Sequence, residues 1–587
     1  MAKIERQKRI YRKRIPYGMQ NFEDVMERDC YYVDKTPFIE KIEESNMYFF
    51  FIRPRRFGKS LTLSMLENYY DINKKDKFES LFGKLYIGEN PTPERNSYLI
   101  LHLNFAMISA GLDNYKKGLD AHCNNKFNSF CSRYAHLLPP HTKEEMNQKE
   151  DAVAQLGFLC DKCAEAGLKI YLFIDEYDHF TNQILAHKEH EKRYREQTHG
   201  EGYLRHFFDT IKGAAGDSLG RVFVTGVSPV TMDDLTSGFN IGTNYSLSQE
   251  FNEMVGFTEE EVRQMLAYYA SVLPFRHSVD ELIEVMKPWY DNYCFSIDSL
   301  DEPPMYNSDM VLYFMNRYLL NKRIPNNMLD ANIRTDYNKL RHLIHVDKTF
   351  GENASVVQEI VEKGSTTGII ANSFPAEDII KPENFKSLLY YYGMLTISGM
   401  EMGEPILSVP NWAVREQLYG YMADIYKDSA DLYLETDKLV DRMKRMAYKG
   451  EWENCFTYIA DRLNAQSSVR DFIEGEAYVK TFILAYLGLT HYYIARPEYE
   501  SNKGYADIFL QPRLLQLPDM VYSYCIEVKY AKRDASDTEI EKLLSNAKIQ
   551  LKQYAASEWI HQDKGTTELK SIALVFQGWK LVRVKEV

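Results

Sequence analysis

The 587-residue chain has no apolar run near the ~20 residues an α-helix needs to cross a bilayer. Its N-terminal stretch also lacks the apolar core of a secretory signal. These absences set the expectation of a cytoplasmic protein with no membrane partner. Cysteine is scarce and irregular, with eight in all, which fits reduced thiols rather than a disulfide framework. The lone Cys160-x-x-Cys163 has no second pair at a zinc-binding spacing, so both thiols are expected in a core. Positive charge is short too. With 71 Lys+Arg against 84 Asp+Glu the net charge is −13, which excludes a generally basic nucleic-acid coat and confines any nucleic-acid contact to local patches. The basic start, MAKIERQKRIYRKR, reads first as a solvated tail and second as a nucleic-acid arm. What is plentiful is apolar and aromatic, 45% and 13% of residues. That is ample for several cores, and the length accommodates three or four domains at ~150 residues each.

One stretch organises the rest. Tyr48 to Ser60 reads YFFFIRPRRFGKS: an aromatic, β-branched run suited to a buried strand, a break at Arg53-Pro54, then Gly58-Lys59-Ser60. Leu61, Met65 and Tyr69 follow at four-residue intervals, one stripe of a helix. Strand, tight loop, GKS and helix together predict a phosphate-binding loop, whose helix N-terminus faces the phosphates. Lys59 is expected to reach the β- and γ-phosphates and Ser60 to hold Mg²⁺. The general pattern has glycine where this chain has Arg53.

Three more strands are expected nearby. Tyr98–Phe105 is one, with His102 a core histidine. Leu168–Asp178, LKIYLFIDEYD, ends in Asp175-Glu176. Asp175 at the strand's carboxyl end is expected to bind Mg²⁺ beside Ser60, and Glu176 to orient and polarise the attacking water. Arg221–Thr225 is the fourth, with Thr225 placed to touch the γ-phosphate or the water. The His-rich segment 187–206 has no metal-like spacing and reads as a solvated excursion. Beyond it, Thr258-x-x-Glu261 before an apolar-periodic run predicts a capped helix. Trp289, Tyr290 and Tyr293 are read as packing in preference to base stacking. The runs LLYYYGMLTISGM and EPILSVPNWAV predict a hairpin in a winged-helix-like module.

Near the C-terminus, Asp471–Leu487 reads as a helix with Phe472, Val479, Ile483 and the acid Glu476 on one stripe. Strands are predicted at Gly504–Leu510, at Tyr524–Tyr530, and in the closing segments Leu569–Phe576 and Lys580–Lys585. Residues two apart on a strand share a face, so Glu527 and Lys529 project together, and Asp507 joins them if the two strands pair. That set suits phosphodiester hydrolysis: Asp507, Glu527 and the Val528 carbonyl to hold one Mg²⁺, Glu476 to complete the shell, and Lys529 to position the water.

The phrases YVDKT (Tyr32–Thr36), RPRRFGKSL (Arg53–Leu61), FIDEYD (Phe173–Asp178), VTGVSPV (Val224–Val230), SGFNIGTN (Ser237–Asn244) and WYDNYCF (Trp289–Phe295) resemble the bacterial AAA-ATPase-like proteins that carry a C-terminal PD-(D/E)XK nuclease-like domain. The C-terminal pattern resembles that nuclease fold, with Ala506-Asp507 for Pro-Asp and Gln550 in a helical Gln-containing motif. The resemblance implies an α/β chain: a P-loop domain with a parallel sheet at 1–250, a helical lid at 251–345, a helical, winged-helix-like module at 346–440, and a restriction-endonuclease-like α/β/α domain at 441–587. Nucleotide is expected at Arg53, Arg56, Gly58, Lys59, Ser60, Asp175 and Thr225, with Glu176 catalytic. Asp507, Glu527 and Lys529 are the expected nuclease residues, with Glu476 as a further metal ligand and Gln550 in support. The implied cofactors are ATP and Mg²⁺, with Mn²⁺ as a substitute at the nuclease site. The implied partners are nucleic acid, DNA before RNA, and further copies of the chain. The expected function is an ATPase joined to a Mg²⁺-dependent nuclease gated by nucleotide. The alternative is a nucleotide-dependent switch or scaffold whose nuclease-like domain only docks partners.

Overall fold

The computed structural model describes residues 12–108, 115–179, 202–230, 242–330, 352–375, 378, 381–428, 436–465, 475–501 and 504–587. Residues 1–11 of the basic tail, most of the His-rich segment and residues 466–474, with Phe472, lie outside them. The chain forms two compact units: Met1–Arg323, Leu329–Val346 and Gly368–Pro405 make the first, and Ile324–Met328, Asp347–Thr367 and Ile406–Val587 the second.

In the first unit, β1 (Tyr48–Ile52), β2 (Leu99–Asn104), β3 (Ile170–Asp175), β4 (Leu219–Gly226) and the short β5 (Thr243–Asn244) form one sheet in the order β2-β3-β4-β1-β5. All its neighbours are parallel. Every residue of β1, β3 and β4 is buried, as a parallel sheet covered on both faces requires, and this is why these strands read as unbroken apolar runs. Since β4 lies between β1 and β3, the phosphate loop after β1 and the acidic pair at the end of β3 share one edge, the carboxyl ends of the strands, where open α/β sheets bind ligands.

Helix α1 (Lys59–Tyr70) starts directly after Gly58, whose φ of +100° only glycine adopts without strain. Met65 and Tyr69 are fully buried, while Leu61 stays half-buried. The predicted capping box holds: Thr258 and Glu261 satisfy each other's backbone at the start of α2 (Glu259–Val272). A second box, Ser278 with Glu281, opens α3 (Val279–Tyr290), and α4 spans Ser308–Asn321. Trp289, Tyr290 and Tyr293 are buried, and Tyr293 meets Phe57 edge to face at 4.8 Å, so these rings pack. Cys160 and Cys163 are buried free thiols, as expected. His102, expected as a core histidine, is partly buried, with Nδ1 2.5 Å from Glu67 Oε1 and Nε2 shielded from solvent. This unit also contains β7 (Thr396–Glu401).

In the second unit, α5 (Glu352–Lys363) precedes β6 (Ser365–Thr367), which pairs antiparallel with the 406–408 end of β8 (Glu404–Ser408). The expected helix 471–487 is observed as α6 (Glu476–Leu487), buried throughout from Tyr478 to Leu487. A mixed sheet follows in the order β13-β12-β11-β10-β9, built from β9 (Tyr493–Ser501), β10 (Gly504–Pro512), β11 (Tyr522–Ala531), β12 (Glu568–Gln577) and β13 (Lys580–Glu586). Only β11–β12 is parallel. Helix α7 (Asp537–Ala555) lays Ile540, Leu544, Ala547, Leu551 and Tyr554 into the same core as Phe509, Cys525 and Val575. The α/β class expected from sequence is the one observed.

Candidate nucleotide and nuclease sites

The Arg53–Ser60 loop wraps around the Lys59 side chain. Lys59 Nζ donates to the carbonyls of Arg53 and Pro54 at 2.8 and 2.9 Å. Burial lowers its pKa, and Glu176 and Asp175 pull back the other way. Ser60 Oγ donates to Asp175 Oδ2 at 3.2 Å, and Asn104 Nδ2 reaches the same oxygen at 3.4 Å. The structure thus brings together the two residues expected to share Mg²⁺, from positions 115 apart in sequence. Burial, then the neighbouring Glu176, pushes the Asp175 carboxyl up. Glu176 and Arg56 both hold left-handed backbone, φ +51° and +67°; such strain concentrates at sites that must fix a geometry. Arg55 Nη2 stands 3.7 Å from Glu176 Oε2.

Two expected nucleotide residues are placed otherwise. Arg53 is 1% exposed. Its guanidinium donates to the carbonyls of Ile52, Ser246 and Phe251 and lies against the rings of Phe51 and Phe295, 4.3 and 4.4 Å to the centroids. It ties β1 to the segment after β5 rather than facing a phosphate. Thr225 is buried, and its hydroxyl donates to Phe51 O at 2.6 Å, bridging β4 to β1. Arg56 does face the loop's cavity, where Asp309 and Asp330 hold its Nη1 at 3.0 and 3.4 Å. That cavity, about 510 Å³, is walled by Arg55–Thr62, by Tyr31–Val33 and Lys35, by Met254–Phe257 and by Ser308, Asp309 and Leu312. Lys35 pins two of these walls together through Glu253 O (3.0 Å) and Glu261 (2.7 Å).

In the second unit β10 and β11 pair antiparallel with Ile508 opposite Ile526. One residue further on, Asp507 and Glu527 come opposite each other, as the pairing condition required. Asp507 Oδ2 accepts the Val528 N–H at 2.8 Å, and Oδ1 accepts from Lys480 Nζ at 3.0 Å. Glu527 Oε1 accepts from Lys529 Nζ at 2.7 Å, whereas its Oε2 is buried without a hydrogen-bond partner. Burial and then Asp507 push the Glu527 carboxyl up to about 7 against the pull of Lys529. Glu476, first residue of α6, is raised by burial while the Lys529 charge lowers it and Asp507 raises it, so it joins the same electrostatic site. Gln550 Nε2 donates to Tyr554 Oη at 3.3 Å. Among the described residues no group of three or more His, Cys, Asp or Glu is arranged to hold a metal ion. Two lysine ammoniums, Lys480 on Asp507 and Lys529 on Glu527, contact the carboxylate pair.

The family described as "Predicted AAA-ATPase" matches residues 16–236, and the PD-(D/E)XK nuclease superfamily matches residues 474–586. The chain joins an AAA-ATPase-like domain to a PD-(D/E)XK nuclease-superfamily domain. A curated relative, an uncharacterized protein in the vnfD 5′ region of Azotobacter chroococcum mcd 1, is 28% identical over 314 residues. The match covers 52% of each chain, so this chain spans about half the length of that relative. Solved structures with some likeness are Cdc6p from Pyrobaculum aerophilum (11% identity, 72% of this chain and 97% of that one, TM-score 0.26) and the Aeropyrum pernix ORC2 protein (9%, 67% and 92%, TM-score 0.31).

The AAA-ATPase-like domain and its neighbours contribute cavity residues that sequence reading missed. Tyr31, Met254, Val255 and Asp309 carry no local motif, and they converge on the loop only in the fold. The nuclease-superfamily domain adds Lys480 and Glu498, which touch each other. Lys480 lies one position past Val479 of the predicted apolar stripe, and nothing in its local pattern marks it.

Proposed function

We propose that this chain binds ATP with Mg²⁺ in its first unit and hydrolyses phosphodiester bonds in DNA, in preference to RNA, with its second, and that nucleotide binding or turnover gates the nuclease. The four-segment division at 250, 345 and 440 belongs to the same proposal. The observation that carries it is Glu527: a buried carboxylate with one oxygen on Lys529 and the other unpartnered, directly across from Asp507. An orphaned buried carboxylate oxygen costs stability, and a bound cation is one partner that would satisfy it. The all-oxygen donor set of Asp507 and Glu527, with Glu476 beside it, fits a hard divalent cation. Bound there, Mg²⁺ or Mn²⁺ would polarise the scissile phosphate and acidify a water. Lys529, held charged by Glu527 despite its burial, orients that water and meets the developing negative charge.

For the first unit, a cavity of about 510 Å³ beside the phosphate loop falls within the ~300–1,000 Å³ of small-molecule sites. Lys59 and Gly58 address the phosphates there, Ser60 and Asp175 take Mg²⁺, and Glu176 orients the attacking water.

The test is cleavage of single- and double-stranded DNA and RNA with Mg²⁺ or Mn²⁺, with and without ATP, by wild type, Glu527→Ala and Lys59→Ala. Cleavage that Glu527→Ala abolishes supports the nuclease, and a different ATP response in Lys59→Ala supports gating. ATP turnover with no cleavage of any substrate would instead favour the nucleotide-dependent switch. One observation speaks for that second reading: the Lys480 ammonium already neutralises Asp507.

A further inference from the structure

The nuclease-superfamily domain holds a second pair of facing carboxylates. On β9 and β10 the ladder pairs Tyr499 with Ala506 and Pro497 with Ile508, which leaves Glu498 and Asp507 across from each other between them. Like charges directly opposite on neighbouring strands repel. Glu498 also sits at φ +42°, a left-handed conformation strained for glutamate. Lys480, rising from α6, holds the two acids together. Its Nζ donates to Asp507 Oδ1 at 3.0 Å and to Glu498 Oε1, and its side chain is 6% exposed. A third acid, Glu362 on α5, is half-buried and within electrostatic reach of Lys480, Glu498 and Asp507. It lies more than a hundred residues before the segment that matches the nuclease superfamily.

We propose that Lys480 is a resident counter-cation that a divalent ion must displace: its ammonium holds the cation position on Asp507 and withdraws onto Glu498 when the ion loads. This rests on the reading that Asp507 and Glu527 take a divalent cation. The exchange keeps charge in balance, since one ammonium moves between carboxylates as a hard cation enters and no bond is made or broken. Glu498 is a positioning residue for the lysine rather than a ligand. The consequence is a cation site that is weak in the free protein and strengthens when the phosphates of a nucleic acid add the negative charge that lets both cations stay.

The experiment is Mn²⁺ titration of the full chain without nucleotide, reading free Mn²⁺ by electron paramagnetic resonance and the melting temperature in parallel. Only the binding that Asp507→Asn removes is scored. Lys480→Met should bind Mn²⁺ about 10- to 100-fold more tightly than wild type, the scale by which groups behind a metal's ligands tune affinity. Its melting temperature should be lower in EDTA and recover further with Mn²⁺. Lys480→Arg keeps the charge and should stay near wild type. Should Lys480→Met lose its cooperative melt, Lys480→Gln carries the same expectation. Equal or weaker Mn²⁺ binding in the uncharged variants, with Asp507→Asn still abolishing the site, overturns the counter-cation and leaves the nuclease reading intact. Mn²⁺ binding indifferent to Asp507→Asn overturns the cation site itself.

Discussion

Arg53 stands where the general phosphate loop has glycine, and replacing it separates two roles that the sequence alone confounds. Its guanidinium bonds three backbone carbonyls and lies between two phenyl rings. Burial lowers its pKa from the usual arginine range to about 10, and the three charge-assisted bonds at ~1.5–3 kcal/mol each offset the cost of that desolvation. Deleting the side chain forfeits those bonds and takes the donor from the Ile52 and Ser246 carbonyls, while the Phe251 carbonyl keeps the Met254 N–H. Taking the donor from a buried neutral acceptor costs about 1–3 kcal/mol, so two such acceptors make about 2–6 kcal/mol. Arg53→Gly restores the general motif, yet it is expected to destabilise the first unit by that amount, and Arg53→Lys to rescue little because an ammonium cannot fork to three carbonyls. Urea denaturation followed by circular dichroism measures the loss, and a fluorescent ATP analogue measures binding by the protein that remains folded. The reasoning fails if Arg53→Gly unfolds within about 1 kcal/mol of wild type but no longer binds nucleotide, for then the side chain acts on phosphate and not on the frame.

Other outcomes follow from the same geometry. Glu527→Gln and Lys529→Met should each abolish metal-dependent cleavage while ATP-analogue affinity stays within about twofold, because both side chains belong to the second unit; equal loss of both properties in a binding assay refutes the division of labour. Asp291, at the end of α3, is pushed up by burial to about 7 from 3.8, with the Asn292 N–H and Lys287 pulling back. A raised folded-state pKa means the folded protein keeps a proton the unfolded chain releases. Its stabilisation is therefore complete below pH 3.8 and lost as pH rises to about 7. Asp291→Asn removes that titration, so its stability relative to wild type should climb by about 2–4 kcal/mol between those limits and then level, as read from melts across pH; a flat difference refutes it. Gly226 ends β4 where an added Cβ would strike Asp178 Oδ1 and come within 2.6 Å of the Tyr177 ring. Gly226→Ala should cost about 1–3 kcal/mol by overpacking, visible as a lower melting temperature.

The strands were legible because both faces are buried, so β1, β3, β4 and β11 announce themselves as apolar runs, and the candidate site residues sit at their ends or on alternate positions. Asp175, Ser60, Asp507 and Glu527 were singled out that way. The hydrogen bond between Ser60 and Asp175 and the pairing of β10 with β11 are what that pattern anticipated. Arg53 misled because a cation in a GKS loop invites a phosphate, and only the fold brings Ser246 and Phe251 close enough to take it. Thr225 misled likewise, since its nearest acceptor is a carbonyl on the neighbouring strand. The cavity walls at Tyr31–Lys35, Met254–Phe257 and Ser308–Leu312 are joined by tertiary structure alone. Lys480 hid in a helix so apolar that its one ammonium looked incidental, and its partners Asp507 and Glu498 lie 27 and 18 residues away.

The second unit is assembled from Ile324–Met328, Asp347–Thr367 and Ile406–Val587, with parts of the first unit threaded between them. It is therefore not a cassette. A fragment cut at the start of the nuclease-superfamily match would leave behind α5 with Glu362, β6 and the strand that β6 pairs with. During synthesis the helix bearing Glu362 emerges long before the sheet it serves, and must wait for it. Gene fusion or excision that treats the back of this chain as a portable module would carry off Asp507 and Glu527 and abandon Glu362, an acid whose charge reaches Lys480 and Asp507.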